Sequence, residues 1–430
     1  MALPAPPTGA PRRPPRVPRP EPVPRARSPR LAALAAAPGG AADFWRTVGA
    51  EGTPLVEPDP DGDPAYAVVT FLWRGGDGTR AVLVLPNKVM DPRDPAGNLC
   101  ERIPGTDVWH WSVRMRRDWR ATYALCVDAA DGPDAGDGPD GDRPGPAAGA
   151  AYWTWLRGRP RPDPLNARRF PRRWGGAPLS VVELPDAPGA AGWTPRTAVP
   201  AGTVSRHTLP GAALGGGRTV WAYEPPGAAG ARELPVLVLF DGEMWQPGLS
   251  VSVLLDNLIA DGRIPPVLAL LPDSADSDTR WSELACGEAF TDFLEHELLP
   301  WAGDRWPVTG DPGRTVLAGQ SLGGLMAAYA SLRAPHRFGN VLSQSGSFWW
   351  PDGPQAEWLT GLVRRSPRLP VRFRLSAGEQ EWVLLPASRR LRDALREKGY
   401  AADYREFNGG HDYLCWRTEL ADGLVALLGD

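Results

Sequence analysis

One serine, at the apex of Gly319-Gln320-Ser321-Leu322-Gly323, restricts what this chain can fold into more than any other feature. It follows the apolar run Thr315-Val316-Leu317-Ala318 and precedes Leu322-Gly323-Gly324-Leu325-Met326-Ala327-Ala328, so the local order is strand, sharp turn, helix. That context separates a nucleophile elbow from a serine that merely caps a helix. The glycines have a physical reason: Ser321 Oγ must project from a strained turn, and a Cβ at either flanking glycine would collide with the neighbouring strand or helix. A strand feeding a helix in this way belongs to an α/β sheet, and a serine at the turn names acyl transfer through a serine ester.

The surrounding pattern agrees. From about Trp221 onward, apolar strand runs such as Val236-Leu237-Val238-Leu239 and Val267-Leu268-Ala269-Leu270-Leu271 alternate with helical stretches, the signature of a doubly wound sheet. Upstream the pattern differs. Tyr66 to Trp73, Arg80 to Leu85, Val108 to Met115 and Thr122 to Val127 are short β-rich runs separated by turn residues, which predict a β-sandwich. We therefore expect a disordered Pro/Arg-rich extension over 1–40, a sandwich domain over 41–195 and a catalytic domain over 196–430. A flexible acidic, Gly/Pro-rich insertion is expected at about 128–150.

A serine nucleophile needs a base. Of the five histidines, His296 falls on an amphipathic helical run, His336 follows Pro335 at a helix end, and His110 and His207 lie on strands far upstream. His411 follows Asn408-Gly409-Gly410, after the strand run Asp403 to Phe407 and before a helix, so it is the candidate base and the order Ser, acid, His is kept. The acid belongs in the loop Gly378-Glu379-Gln380-Glu381-Trp382 after the strand run Val371 to Ala377, where Glu379 and Glu381 compete and Glu381 is preferred. One oxyanion donor is expected from the Leu322 amide and the other from the turn after Val236 to Phe240, near Gly242 and Glu243.

Composition removes several alternatives. A net charge of −3 argues against nucleic acid as the main partner, although residues 1–40 carry seven Arg against one Glu, a surplus of six that leaves −9 on the rest. No run approaches the ~20 apolar residues of a membrane span. Four scattered cysteines with no C-x-x-C pair suit free thiols in a reducing cytoplasm. The aspartate-rich loops lack the spaced ligands of a calcium site, and neither a metal nor a cofactor is expected. Nineteen tryptophans against ten phenylalanines and eight tyrosines is a high count, useful in a core and equally in a pocket for aromatic ligands.

Three stretches carry a more specific resemblance: Gly319 to Gly324, Val341-Leu342-Ser343-Gln344-Ser345-Gly346-Ser347-Phe348-Trp349-Trp350-Pro351, and Gly409 to Arg417. Upstream, Val69 to Arg74, Ile103 to Trp109 and Asp163-Pro164-Leu165-Asn166 add to it. Together they resemble the cytoplasmic enterochelin esterases, serine hydrolases that open the trilactone of ferric catecholate siderophores. The resemblance spans roughly 43–430 apart from the acidic insertion. It implies an α/β hydrolase catalytic domain of the esterase D type preceded by an all-β immunoglobulin-like sandwich. It implies Ser321 as nucleophile, His411 as base and Glu381 as acid, with Trp382 where the family carries a proline. Arg280, in Arg280-Trp281-Ser282-Glu283-Leu284, becomes a substrate-binding candidate, and Trp245, Trp349 and Trp350 are candidates for stacking on an anionic aromatic ligand. The expected partner is a ferric catecholate siderophore met by a monomer or weak oligomer. The rival readings are a general, feruloyl or thioester hydrolase of the same fold and a siderophore-binding protein without turnover.

Overall fold

A parallel strand is covered on both faces, so its sequence reads as an unbroken apolar run, and the second half of this chain is built from such runs. In the computed structural model, which describes residues 4–7, 13–130 and 144–429, the chain divides into two units. One comprises residues 18–188 and 408–415; the other comprises 1–17, 189–407 and 416–430.

The first unit is a sandwich of two antiparallel sheets. One has the order β1 (Leu55–Pro58), β2 (Tyr66–Arg74), β5 (Val108–Arg116), β4 (Glu101–Arg102). The other has the order β3 (Thr79–Pro86), β6 (Arg120–Ala129), β9 (Leu179–Glu183), β8 (Arg169–Phe170), with β7 (Pro160–Arg161) paired to β6. Phe71, Trp111, Tyr123 and Leu125 meet in its core, where Phe71 and Tyr123 stand edge to face with centroids 4.8 Å apart. The outward faces are not left to water. Helices α1 (Pro29–Ala36) and α2 (Ala41–Glu51) set Leu31, Leu34, Trp45 and Val48 against Leu72 and Val108. Helix α3 (Ala150–Arg157) sets Tyr152 and Leu156 against Leu83 and Cys126. Double cover is why β2 and β6 read as near-continuous apolar segments and not as alternating ones.

The later part of 1–40 corrects the expectation of a disordered extension there, while 1–3 and 8–12 lie outside the described residues. Ser28 caps α1 by accepting from the Leu31 amide, Leu31 and Leu34 are buried, and the Pro24 carbonyl accepts from the Arg114 amide at 2.9 Å. Of the expected insertion at 128–150, Asp128 and Ala129 complete β6 and Ala150 opens α3, while 131–143 lie outside the described residues. The Asp163-Pro164-Leu165-Asn166 segment proves to be a structural knot. Thr53 Oγ1 and Tyr123 OH each donate to Asp163 Oδ2 at 2.7 Å, and Asn166 Nδ2 donates to Tyr123 OH and to the Val181 carbonyl. Burial raises the Asp163 carboxyl pKa against those hydrogen bonds.

The second unit holds an eight-stranded sheet in the order β10-β11-β13-β12-β14-β15-β16-β17. The strands are β10 (Thr203–Leu209), β11 (Arg218–Glu224), β12 (Val236–Leu239), β13 (Leu268–Pro272), β14 (Thr315–Gln320), β15 (Asn340–Gln344), β16 (Arg372–Gly378) and β17 (Ala402–Phe407). From β13 to β17 all neighbours are parallel, and β10 and β11 join antiparallel at one edge. Helices α4 (Val251–Ala260), α5 (Ser277–Leu284), α6 (Glu288–Phe293), α7 (Leu299–Gly303), α8 (Leu322–Arg333), α9 (Trp358–Arg365), α10 (Leu384–Glu397) and α11 (Tyr413–Leu428) complete the alternation. From β12 the chain visits β13 on one side and then β14 on the other, so the carboxyl ends of β12 and β14 flank a topological switch point.

Candidate active site

Strand β14 ends at Gln320 and α8 starts at Leu322, leaving Ser321 alone to make the turn, with φ 58° and ψ −119°. A non-glycine residue there is strained, and the strain is held from both sides. The Ser321 amide donates to the Gln344 carbonyl at 3.1 Å, and its carbonyl accepts from the amides of Ser347 and Leu325. Asp241 after β12 (φ 65°) and Ser345 after β15 (φ 49°) are also left-handed, so three adjacent strands end in non-glycine residues of positive φ. A Cβ on Gly319 would lie 2.5 Å from the Gly323 carbonyl carbon, which forbids any larger residue. The expectation that Gly323 is equally constrained is not met: its Cβ would find only ordinary contact with Phe240 at 3.6 Å. The second close approach falls one residue later, at Gly324, whose Cβ would meet Ser343 Oγ at 2.4 Å.

The register pairs Leu239 with Ala318, so the turn Asp241-Gly242-Glu243 runs beside Gln320-Ser321-Leu322. A Cβ on Gly242 would strike the Leu271 carbonyl oxygen at 2.3 Å, which fixes glycine there. The Asp241 carbonyl takes the amides of Met244 and Trp245. Leu322 stands in the first turn of α8, where amides have no partner inside the helix. Glu243 uses its carboxylate to accept from the Ser274 amide at 2.8 Å. It also helps raise the Asp273 pKa to about 7, after burial as the first cause.

Arg280 sits at this turn and is committed to the protein. Its Nε and Nη2 donate to both Asp241 carboxylate oxygens at 2.9 and 2.8 Å, and Nη2 also reaches the Gln320 carbonyl at 3.1 Å. The fork thus ties the β12 turn to the last residue before the nucleophile. The three tryptophans expected at the ligand are core residues. Trp245 is 0% exposed and donates its indole N–H to Gln320 Oε1. Trp349 and Trp350 are 5% and 4% exposed, packed against Trp281 and Trp358. At that burial these rings serve as packing around the elbow in the structure as it stands.

Two features were missed by reading the sequence. Ser347 places its hydroxyl 3.3 Å from Ser321 Oγ, although the only signal for it was its place in the Ser343 to Trp350 motif. A chain of amides lies beneath the elbow: Gln320 Nε2 donates to Gln344 Oε1, and Gln344 Nε2 donates to the Trp416 carbonyl. Trp416 in turn donates its indole N–H to Ser345 Oγ.

The two glutamates after β16 separate by burial. Glu379 is exposed, whereas Glu381 is 1% exposed and accepts from the Gly378 amide at 2.7 Å. His411 lies in the segment 408–415 that groups with the sandwich. Asn87 Nδ2 donates to its carbonyl at 2.9 Å, and a Cβ on Gly410 would meet Asn87 O at 2.7 Å. The next residue, Asp412, is buried and accepts from the amides of Thr122 at 2.6 Å and Leu414 at 3.0 Å. Burial raises its pKa against those bonds. A cleft of about 330 Å³ opens beside His411, lined also by Asn87, Phe170, Arg172, Arg173 and Trp174. The other histidines are engaged or remote: His207 contacts Ser205 and Trp301, His336 pairs with Glu295, His296 is exposed, and burial lowers the His110 pKa.

A family model described as the N-terminal region of enterochelin esterase matches residues 68–193, and one described as a putative esterase matches residues 211–427. The iron(III) enterobactin esterase of Dickeya dadantii is 35% identical over 93% of this chain and 95% of its own length. The chain belongs to the enterobactin esterase family. It is therefore a carboxylic ester hydrolase with a two-domain fold of that type. The iron(III) salmochelin esterase of Escherichia coli O6:H1 is 30% identical over 90% of the chain and 93% of its own length. Among solved structures, the ferric enterobactin esterase of Salmonella typhimurium superposes with a TM-score of 0.76 at 33% identity, covering 90% of this chain and 98% of that one. The enterobactin esterase of Shigella flexneri, solved in the presence of enterobactin, gives 0.73 at 31% identity with the same coverage. Among the described residues no group of acidic, histidine or cysteine side chains is arranged to hold a metal ion, and no helix is long and apolar enough to cross a membrane.

Proposed function

We propose that this enterobactin esterase family member hydrolyses the trilactone ester bonds of ferric catecholate siderophores, enterobactin or a close analogue, releasing iron in the cytoplasm. The observation that carries the chemistry is the left-handed Ser321 at the β14–α8 turn beside the Asp241-Gly242-Glu243 turn. Full-length similarity to iron(III) enterobactin esterases, sandwich included, supports the substrate class. His411 takes the proton from Ser321 Oγ as the oxygen attacks a serine–serine ester carbonyl. Amides of Leu322 and of Gly242 or Glu243 hold the oxyanion. His411 then protonates the departing alkoxide, and water cleaves the acyl-enzyme with the same groups in reversed roles. Glu381 holds the imidazole tautomer. Its burial and its fixed carboxylate support this role over the exposed Glu379. Iron arrives with the substrate.

The test is product analysis by mass spectrometry on ferric and iron-free trilactone, beside a panel of p-nitrophenyl esters. Linear di- and monomeric catecholate products are expected from the wild type. In Ser321→Ala a loss of about 10³-fold or more, together with loss of fluorophosphonate labelling, is expected. Turnover of simple, feruloyl or thioesters alone would replace the substrate reading with the general hydrolase. Binding without labelling or products would leave a siderophore-binding protein.

A further inference from the structure

The hairpin loop between β8 and β9 carries Arg172-Arg173-Trp174, and all three line the cleft that also contains His411. Trp174 is 51% exposed, one of three large apolar side chains left in water among the described residues. No core packing accounts for it. The Arg173 guanidinium lies 4.4 Å from the centroid of its ring, which holds the indole face in place. Arg172 Nε is buried and has no hydrogen-bond partner among the described residues, an unmet donor at the cleft. Among the described residues the only carboxylate lining the cleft is Asp412, which spends its oxygens on backbone amides.

The loop also ends an arginine-rich run. Residues 157–173 contain seven Arg and one Asp in a chain whose net charge is −3. Several of these arginines are spent locally: Arg168 pairs with Glu183, Arg169 reaches the Asp163 carbonyl, and Arg159 covers Trp155. Arg173 is engaged too, over the Trp174 ring, and both it and Arg172 line the cleft. At about 330 Å³ the cleft is near the lower end of ligand pockets, which run from about 300 to 1,000 Å³, and so fits one aromatic arm and not a whole three-armed ligand.

We propose that Arg172, Arg173 and Trp174 form a subsite for one catecholate arm of the substrate, with the indole stacking on the ring and the two guanidinium groups facing its phenolate oxygens. The subsite rests on the reading of the substrate given above. It assigns specificity for an anionic aromatic arm to the β8–β9 loop, in place of the buried tryptophans near the elbow.

The test uses the full-length Ser321→Ala protein, titrated with ferric tricatecholate trilactone by tryptophan fluorescence, alone and combined with Trp174→Ala, Arg172→Gln/Arg173→Gln or Arg172→Lys/Arg173→Lys. The glutamine pair is expected to raise Kd about tenfold or more, and the lysine pair to recover most of that by keeping the charge. Trp174→Ala should weaken binding about fivefold and remove part of the quenching. In the Ser321 background, the ratio of kcat/KM for the ferric trilactone to that for p-nitrophenyl butyrate should fall with the same ranking. Circular dichroism melts of each variant exclude unfolding as the cause. Affinities within twofold of the parent in a substrate-competent protein would overturn the subsite alone. A wild type that cleaves p-nitrophenyl butyrate but neither binds nor cleaves the trilactone would overturn the substrate reading and the subsite with it.

Discussion

Arg280 shows how a residue's chemistry can be legible while its role is not. The sequence offers a cation near the nucleophile and an anionic substrate to go with it. The structure gives that cation a carboxylate of its own, since Asp241 is fully buried and takes both prongs of the fork. Removing one partner of such a pair leaves an uncompensated buried charge and costs about 3–5 kcal/mol, whereas removing both costs much less. Urea unfolding of Arg280→Met should therefore show a loss in that range, and Arg280→Met/Asp241→Asn should be less destabilised than the single variant. A double variant no better than the single would mean that the pair is not the main business of Arg280. The tryptophans teach the same lesson: residue type announces an apolar face and a donor, but only packing decides whether the face stays open to water, as for Trp174, or meets a core, as for Trp245. The positions of Ser321 at a tight turn and of Glu381 in a loop after a strand were legible because both settings constrain sequence locally. Ser347 was not, because its place beside Ser321 Oγ comes from β15 lying next to β14.

At the level of elements, apolar runs located the strands, yet they did not report what covers them. In the sandwich, α1, α2 and α3 bury the outward faces, so β2 and β6 lack the two-residue alternation of a half-exposed sheet, and the arginine- and proline-rich leader that supplies α1 looked like an extension with no fold. The elbow illustrates how contact geometry refines a motif. Both glycines of G-x-S-x-G look alike in sequence, but only Gly319 faces backbone at a distance no Cβ can occupy. Gly319→Ala must push β14 and α8 apart, and overpacking of this sort costs about 1–3 kcal/mol. It should depress the rate of fluorophosphonate labelling as well as the melting temperature. Gly323→Ala makes only ordinary contact with Phe240 and Leu284 and gains helix propensity of about 1 kcal/mol, so it should melt at or above the wild type and keep labelling. Equal damage from the two substitutions would mean that the turn relaxes more freely than its hydrogen bonds imply.

Across the whole molecule the charge balance sets a problem that the local charges answer. A chain of net −3 repels a ferric tricatecholate, which is itself trianionic, unless a positive region outweighs the rest at short range. Under the proposed subsite that region is the end of the arginine-rich run 157–173, where Arg172 and Arg173 line the cleft beside His411. Such attraction is screened: the Debye length shrinks from about 10 Å at 0.1 M salt to about 3 Å at 1 M. Raising sodium chloride from 0.05 to 0.5 M should therefore raise KM for the ferric trilactone about fivefold with little change in kcat, because the charges act on binding and not on the bond-breaking step. The iron-free trilactone, whose catechols are largely neutral at pH 7, should respond less, and p-nitrophenyl butyrate should hardly respond at all. Steady-state kinetics on the three substrates across one salt series reads the comparison directly. A KM for the ferric substrate as insensitive to salt as that of the neutral ester would mean that stacking and shape, and not the arginine run, select the ligand.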